Sequence, residues 1–499
     1  MRASALPATF VLRVLGSALL LGLLGNSLLR VDEWGFNVFV GTTALAIVAA
    51  TLRRRPEAPS ARWLLLLPPV FAIGVAWRTA PLLSAWNLLA VAGTLALPVM
   101  RTGGVRLATG RVLDYAVGLA TTGVRTVLGP LHFASAEVLR NELLHRLRRR
   151  RATAVVVGLV LAAPLLAVFG ALLVSADAGF ERLVQAVVDL DVWQLVSHVV
   201  GTGFVGWVSA GYLMAVFVGA RETAAPWGRG FRPALGAVEL GIPLGGLALL
   251  FAVFIVIQAG YVFGSHDVIR EAANLGYAEY ARRGFFELVA VAVMILPVLL
   301  AADRVSDGTD ATARRTVRIL SGTLLLLVGL VAISALHRMQ LYLDAYGLTR
   351  DRGYATAVLL WAGVAIVWFA ATVLRGRADR FVFGAMVGAL TVLGLLNAVN
   401  LDAMVVRTNI ARALEGAELD ADYLASLSAD AVPALVRALP DLPDDAACIV
   451  LASLAPHDAS AERGDWRGWH LARTRARTAA EGLVAARAAR CGVESGTAP

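Results

Sequence analysis

Stretches of mainly apolar residues recur along this chain of 499 residues. A stretch of about 20 such residues is long enough for a helix to cross the hydrocarbon of a bilayer. In that solvent every backbone N–H and C=O has to be satisfied internally, so a chain built of such segments is held to a bundle of helices. We place about eleven spans, at 9–29, 35–52, 63–77, 81–100, 152–175, 196–219, 237–263, 284–302, 317–336, 354–374 and 381–399. The third is the shortest. Charge is correspondingly scarce: 16% of residues are charged and 58% hydrophobic, where soluble domains carry nearer a quarter charged. The expected fold class is therefore all-α, a polytopic α-helical membrane protein with a small helical C-terminal domain.

The formal net charge is +9, and the basic residues lie between apolar segments without interleaved aromatics. That pattern argues for the positive-inside bias of a membrane protein and against nucleic-acid binding. With the N-terminus inside, alternation puts 25 arginines in the inner segments and 9 in the outer ones. Counted over the segments that flank and connect the spans, the tail aside, the asymmetry predicts a plasma-membrane protein whose N-terminus is cytoplasmic and whose tail is extracytoplasmic. No small-x-small cleavage site follows the first apolar stretch before Arg30, so that stretch reads as an uncleaved span.

Four regions follow: N-terminal transmembrane helices at 1–100, a basic cytoplasmic amphipathic segment at 101–151, the main transmembrane domain at 152–400, and a helical tail at 401–499. In the second, HFASAEVLRNELLHRLRRRR sets Leu139, Leu143 and Leu147 on one helical face opposite arginines, which suits the anionic inner leaflet. The bilayer is thus the one partner the sequence demands.

Lysine is absent from the sequence, which removes the P-loop, Schiff-base and Ser-Lys chemistries in their usual forms. No HExxH, CxxC, GxSxG or paired histidine spacing occurs, so no metal, cofactor or catalytic residue is assigned. The GxxxG pairs Gly241/Gly245 and Gly384/Gly388 read as close helix packing. The only two cysteines, Cys448 and Cys491, both lie in the tail, and an extracytoplasmic tail permits a disulfide between them. There Asp420 or Asp422 can cap one helix, and Asp465 another that carries Trp469, Ala472, Ala476, Ala480 and Leu483 on one face.

Candidate site residues come from three polar stretches that alternation puts on the outer side. In GYAEYARRGFFEL (276–288), Glu279, Arg283 and Glu287 follow helical i, i+4, i+8 spacing, so the arginine can pair with either carboxylate, and Tyr280 and Arg282 lie beside them. In HRMQLYLDAYGLTRDRGYA, Arg338, Tyr342 and Tyr346 share a face after His337, Gly347 can end the helix and Thr349 can cap the next. In NAVNLDAMVVRTNIAR, Asn397, Asn400 and Asp402 bring polar groups to the last membrane turn. Fixed arginines with hydrogen-bonding tyrosines suit an anionic or zwitterionic small ligand, and an envelope protein is the alternative partner.

These stretches, with DADYLASLSADAVPAL at 420–435, resemble the signature segments of a bacterial polytopic membrane family designated domain of unknown function 4173, with its relative 4153. The resemblance runs from the fifth span into the tail. In place of the proline and tyrosine of the family's third stretch, this chain has Leu401 and Thr408. The resemblance implies a multi-pass membrane protein with a helical tail, and it implies no activity.

Three function classes fit. The first is envelope sensing or partner binding through the outer cluster. The second is a multi-pass transporter or channel, for which polar groups near the bilayer midplane are expected and few are seen. The third is an interfacial enzyme using Glu279 or Glu287 with His337 as acid and base, for which no motif speaks. The sequence favours binding and leaves enzymatic activity unassigned.

Overall fold

In the computed structural model of the protein, the described residues are 8–31, 33–52, 63–135, 192–217, 236–263, 285–306, 311–455, 465–483 and 490–491. Among them the regular elements are helices: α1 (Ala8–Leu28), α2 (Phe36–Thr51), α3 (Leu67–Trp77), α4 (Pro81–Thr102), α5 (Val112–Ser135), α6 (Val192–Phe217), α7 (Ala237–Phe263) and α8 (Phe285–Ser306). There follow α9 (Ala311–Tyr346), α10 (Arg350–Thr372), α11 (Phe381–Ala398), α12 (Leu401–Leu414), α13 (Ala421–Ala425), α14 (Val432–Ala438), α15 (Asp444–Leu454) and α16 (Leu471–Ala480). Seven of them, α4 and α6 to α11, are long and apolar enough to cross a membrane, and α1, α2 and the stretch Trp63–Trp77 are shorter apolar helices. This is the all-α fold of a polytopic membrane protein. Each expected span falls on one of these helices except 152–175, which lies outside the described residues, as do Leu139, Leu143 and Leu147.

The helices run in opposing directions along the bundle and so define two ends, α4 and α6 finishing at the same one. At one end Phe10 and Val14 of α1 pack with Ala49 of α2 and with Leu213 and Met214 of α6. The finish of α4 joins the start of α5 through Met100, Leu107 and Tyr115, against Val382 and Phe383 of α11. Ala302, Val317, Val373 and Phe381 bring the finish of α8 and α10 to the start of α9 and α11 at the same end. At the opposite end lie the turns after α1, α3, α9 and α11, and the tail is packed there.

Residues 112–135 of the basic segment form a long helix packed along α6. Trp207 Nε1 donates to the Val127 carbonyl at 2.8 Å, and Gly211 lies directly against the Thr126 carbonyl. On the other side of α6, a Cβ on Gly22 of α1 would come within 2.5 Å of the Thr202 carbonyl. Close backbone approach is thus made at Gly22 and Gly211. The two GxxxG pairs are used differently: Gly384 and Gly388 face the indoles of Trp368 and Trp361 on α10, whereas Gly241 touches only the Thr316 methyl and Gly245 faces open space.

The tail helices close over a core of their own, in which Val405, Val406, Leu424, Ala431, Leu435, Val450, Leu454 and Ala476 are almost fully buried. Cys448 of α15 and Cys491 are joined by a disulfide, Cα to Cα 5.7 Å. Asp420 caps α13 by accepting from the Tyr423 N–H at 2.8 Å. Asp465 caps only the 3₁₀ turn Trp466–Gly468, and α16 begins after His470 with Ala472, Ala476 and Ala480 buried. The turn after α1 receives the tail: the Phe36 N–H donates to the Trp469 carbonyl at 3.1 Å, Arg467 reaches the Ser27 carbonyl, and Arg473 pairs with Glu33.

Candidate functional site

The helix break between α11 and α12, at Val399 and Asn400, creates the site. Helix α11 ends at Ala398, leaving carbonyls without intrahelical partners, and Asn400 restarts the helix by accepting from the Ala403 N–H at 3.0 Å. Arg78, in the short turn between α3 and α4, fills the gap: its Nε donates to the Asn397 carbonyl at 2.8 Å and one terminal nitrogen to the Ala398 carbonyl at 3.1 Å. A cation at a helix C-terminus is also favoured by the helix dipole. The other terminal nitrogen donates to Asp430 Oδ1 at 3.0 Å.

Asp430 belongs to the tail, in the turn before α14, so this ion pair joins the tail to the bundle. Its side chain is 3% exposed and that of Arg78 6%. The second oxygen, Oδ2, accepts from the Thr79 N–H at 2.7 Å and the Thr79 hydroxyl at 3.1 Å. The Asn400 amide donates to the Asp430 carbonyl at 2.8 Å. Beside it, Asp402 in the first turn of α12 is 2% exposed, and its Oδ2 accepts from the Ser428 hydroxyl at 2.6 Å and the Ser428 N–H at 3.0 Å. The same hydroxyl lies 3.4 Å from Asp430 Oδ2, so Ser428 sits between two carboxylates. Asp402 Oδ1 has no hydrogen-bond partner among the described residues.

Burial pushes the Asp402 carboxyl up from its ordinary range, the nearby charge of Asp430 adds to the rise, and the Ser428 hydrogen bonds and Arg350 oppose it. A cleft of about 10 Å³, the size of one water molecule, is lined by Arg78, Tyr354, Asn400, Asp402 and Asp430 among others.

One layer further into the bundle, Asn87 and Asn397 exchange amide hydrogen bonds, 2.9 Å in each direction, and each also donates to its own helix at Leu83 and Leu393. Gly74 makes room for the pair, since a Cβ there would stand 2.5 Å from Asn87 Oδ1 and 2.7 Å from Asn397 Oδ1. Gly74→Ala is therefore expected to destabilise the protein by about 1–3 kcal/mol. Thermal unfolding of the purified full chain checks this, and an unchanged midpoint would show that the pair yields freely.

The second and third polar stretches do meet. The Asn409 amide brackets Leu348, accepting from its N–H at 3.0 Å and donating to its carbonyl at 2.8 Å, and Arg412 donates to the Asp344 carbonyl at 2.7 Å. Gly347, at φ +74°, ends α9, and Thr349 caps α10. Tyr342 and Tyr346 stand edge to face at 5.3 Å with Arg352 over the Tyr342 ring at 3.9 Å. The Arg352 guanidinium also donates to the Tyr346 and Gly347 carbonyls, so it serves the end of α9.

The remaining candidates are dispersed. Arg338 is buried in α9, while His337 on the same helix and Glu287 at the start of α8 are exposed. Glu279, Tyr280, Arg282 and Arg283 lie outside the described residues. Of the expected set, Asn397, Asn400 and Asp402 line the junction with the tail. Arg78, Thr79, Asn87, Ser428 and Asp430 complete it without having been singled out in the sequence. The available signal is the lone arginine in a short turn between two apolar helices, Trp77-Arg78-Thr79-Ala80-Pro81, against a first half of the tail, 401–450, that holds nine acids and three arginines.

A family model described as a domain of unknown function (DUF4153) matches residues 65–438. The match is thus to the relative named second above, and the 4173 designation is not the one found. No curated protein and no solved structure is significantly similar to the chain. The matched range takes in the bundle from the third apolar helix onward and the tail as far as Ala438, including Arg78, Asp402, Ser428 and Asp430, and on that coverage the chain belongs to the DUF4153 family.

Proposed function

We propose that the protein is a membrane-anchored binding protein of the cell envelope, in which the tail is the recognition domain and the bundle holds and orients it. The observation that carries this reading is the junction itself. A domain with its own core and disulfide is fastened to the bundle by buried polar contacts, through Arg78, Thr79, Asn400 and Asp430. Such contacts fix one geometry more strictly than apolar packing does, which suits a domain whose placement matters.

The arginines favour the plasma membrane with the tail outside. Arg101, Arg106, Arg111, Arg304, Arg314, Arg315, Arg318, Arg375, Arg377 and Arg380 belong to elements at the end remote from the tail, and the positive-inside bias makes that end cytoplasmic. A disulfide in the tail is supported by an oxidising compartment. An envelope protein is a better partner than a small anion, because Arg78, Arg352 and Arg412 are already taken up by helix-end carbonyls.

A photoactivatable residue at Trp466 or Arg475 on the exposed tail, with one at the lipid-facing Leu249 as control, tests the reading in intact cells. Discrete adducts with an envelope protein from the tail positions alone are expected. Equal adducts from all three positions, or solute flux in proteoliposomes without any adduct, would contradict it.

A further inference from the structure

We infer that Asp402, Ser428 and Asp430 form a binding site for a single proton, and that occupancy of this site sets how firmly the tail is held on the bundle. This builds on the reading of the tail as the recognition domain, yet it concerns docking alone and holds whatever the tail binds.

Two carboxylates share the Ser428 hydroxyl, at 2.6 Å and 3.4 Å. One of them is matched: Asp430 takes the Arg78 guanidinium and both donors of Thr79. Among the described residues the other is hydrogen-bonded only by Ser428, on one oxygen, and its Oδ1 is buried without a partner there, beside the water-sized cleft. A buried carboxylate left in that condition is costly, and taking up a proton removes the charge.

The charged and titratable groups around Asp402 are Asp430 from the tail turn, Arg78 from the turn after α3, and Arg350 and Tyr354 from α10. Arg350 opposes protonation and Asp430 favours it, while burial remains the largest influence and favours it too. A proton on Oδ1 leaves Oδ2 free to keep both Ser428 hydrogen bonds, and it can be donated to a water in the cleft.

The sign follows from linkage. The docked state binds the proton more tightly than the undocked one, so the contribution to docking is fully present at pH below the ordinary carboxylate range. It is lost as pH rises through the raised value in the docked state. The Asp402 contribution to docking should therefore be greatest in acid and shrink toward neutral and alkaline pH, the Arg78–Asp430 pair contributing apart from it. Asp402→Asn imitates the protonated form and should hold the tail firmly at every pH.

The test uses the full chain in nanodiscs, with two readouts. Infrared difference spectra across an acid-to-alkaline titration should show one protonated carboxyl band that persists above the ordinary carboxylate range and vanishes in Asp402→Asn. Hydrogen exchange of residues 426–431, corrected for intrinsic pH dependence, should quicken as that band is lost in the wild type and stay slow throughout in Asp402→Asn. Ser428→Ala removes a hydrogen bond that favours the charged form, and should move both midpoints to higher pH.

A band unchanged in Asp402→Asn would overturn the proposal. So would exchange at 426–431 that stays pH-dependent in that variant, or midpoints that move to lower pH in Ser428→Ala. Loss of partner adducts with both titrations intact would contradict the recognition reading and leave the proton site standing.

Discussion

Replacing Asp430 with alanine is expected to cost the junction about 3–5 kcal/mol, because the Arg78 guanidinium is then left buried without its carboxylate. The loss appears as early unfolding of the tail and as rapid exchange of its first helices. Arg78→Met should cost a comparable amount, for it strands Asp430 and also leaves the Asn397 and Ala398 carbonyls without their donor. Combining Arg78→Met with Asp430→Leu removes both charges together, so most of the ion-pair penalty is not paid twice. What remains is the exposed end of α11, about 1–3 kcal/mol of unsatisfied carbonyl. The two changes should therefore be strongly non-additive, and a double-mutant cycle reads the coupling directly. Strict additivity would mean that the two side chains act separately.

Cutting the Cys448–Cys491 disulfide is the second large effect. The bridge closes a loop with a sequence separation of 43, and loop-closure entropy gives it about 4 kcal/mol over the unlinked chain. Replacing both cysteines with serine should lower tail stability by up to that amount. The damage should be greatest around α15, where Val450, Leu451 and Leu454 line the core. Arg490 moderates it: beside Cys491 it pairs with Asp444 and donates to the Leu439 and Leu442 carbonyls, contacts that survive without sulfur. Protease resistance of the tail with and without reductant measures this, and equal resistance would contradict it.

The spans were readable because length and hydropathy are local properties, as were the turn residues Gly347 and Thr349, whose backbone chemistry depends on their immediate neighbours. Helix ends were less so. The apolar run read as 317–336 is the middle of α9, Ala311–Tyr346, which continues through the polar stretch that carries His337 and Tyr346. Hydropathy marks where a helix is greasy, and α9 keeps its backbone hydrogen bonds well past that point.

The site was harder to read for the opposite reason. Arg78 and Asp430 stand 352 residues apart, and Asn87 and Asn397 310 apart, so no spacing rule links them. The stretch before α8 is conspicuous for its dense charge. Arg78 was a single charge in a short turn, and its weight comes from what surrounds it: the broken end of α11, the Thr79 donors and a buried acid of the tail. Asp402 was singled out for its place after the last span, and its importance lies in the oxygen left over once Ser428 is satisfied.

The tail is fixed to the bundle through the Arg78–Asp430 pair. Hydrogen exchange of the full chain in nanodiscs, wild type against Arg78→Met, tests it most directly at residues 401–435. These amides are expected to be strongly protected in the wild type and to exchange many-fold faster in the variant, while the remote end, read at Met100 and Tyr115, is unchanged. Identical protection of 401–435 in the two proteins would contradict it.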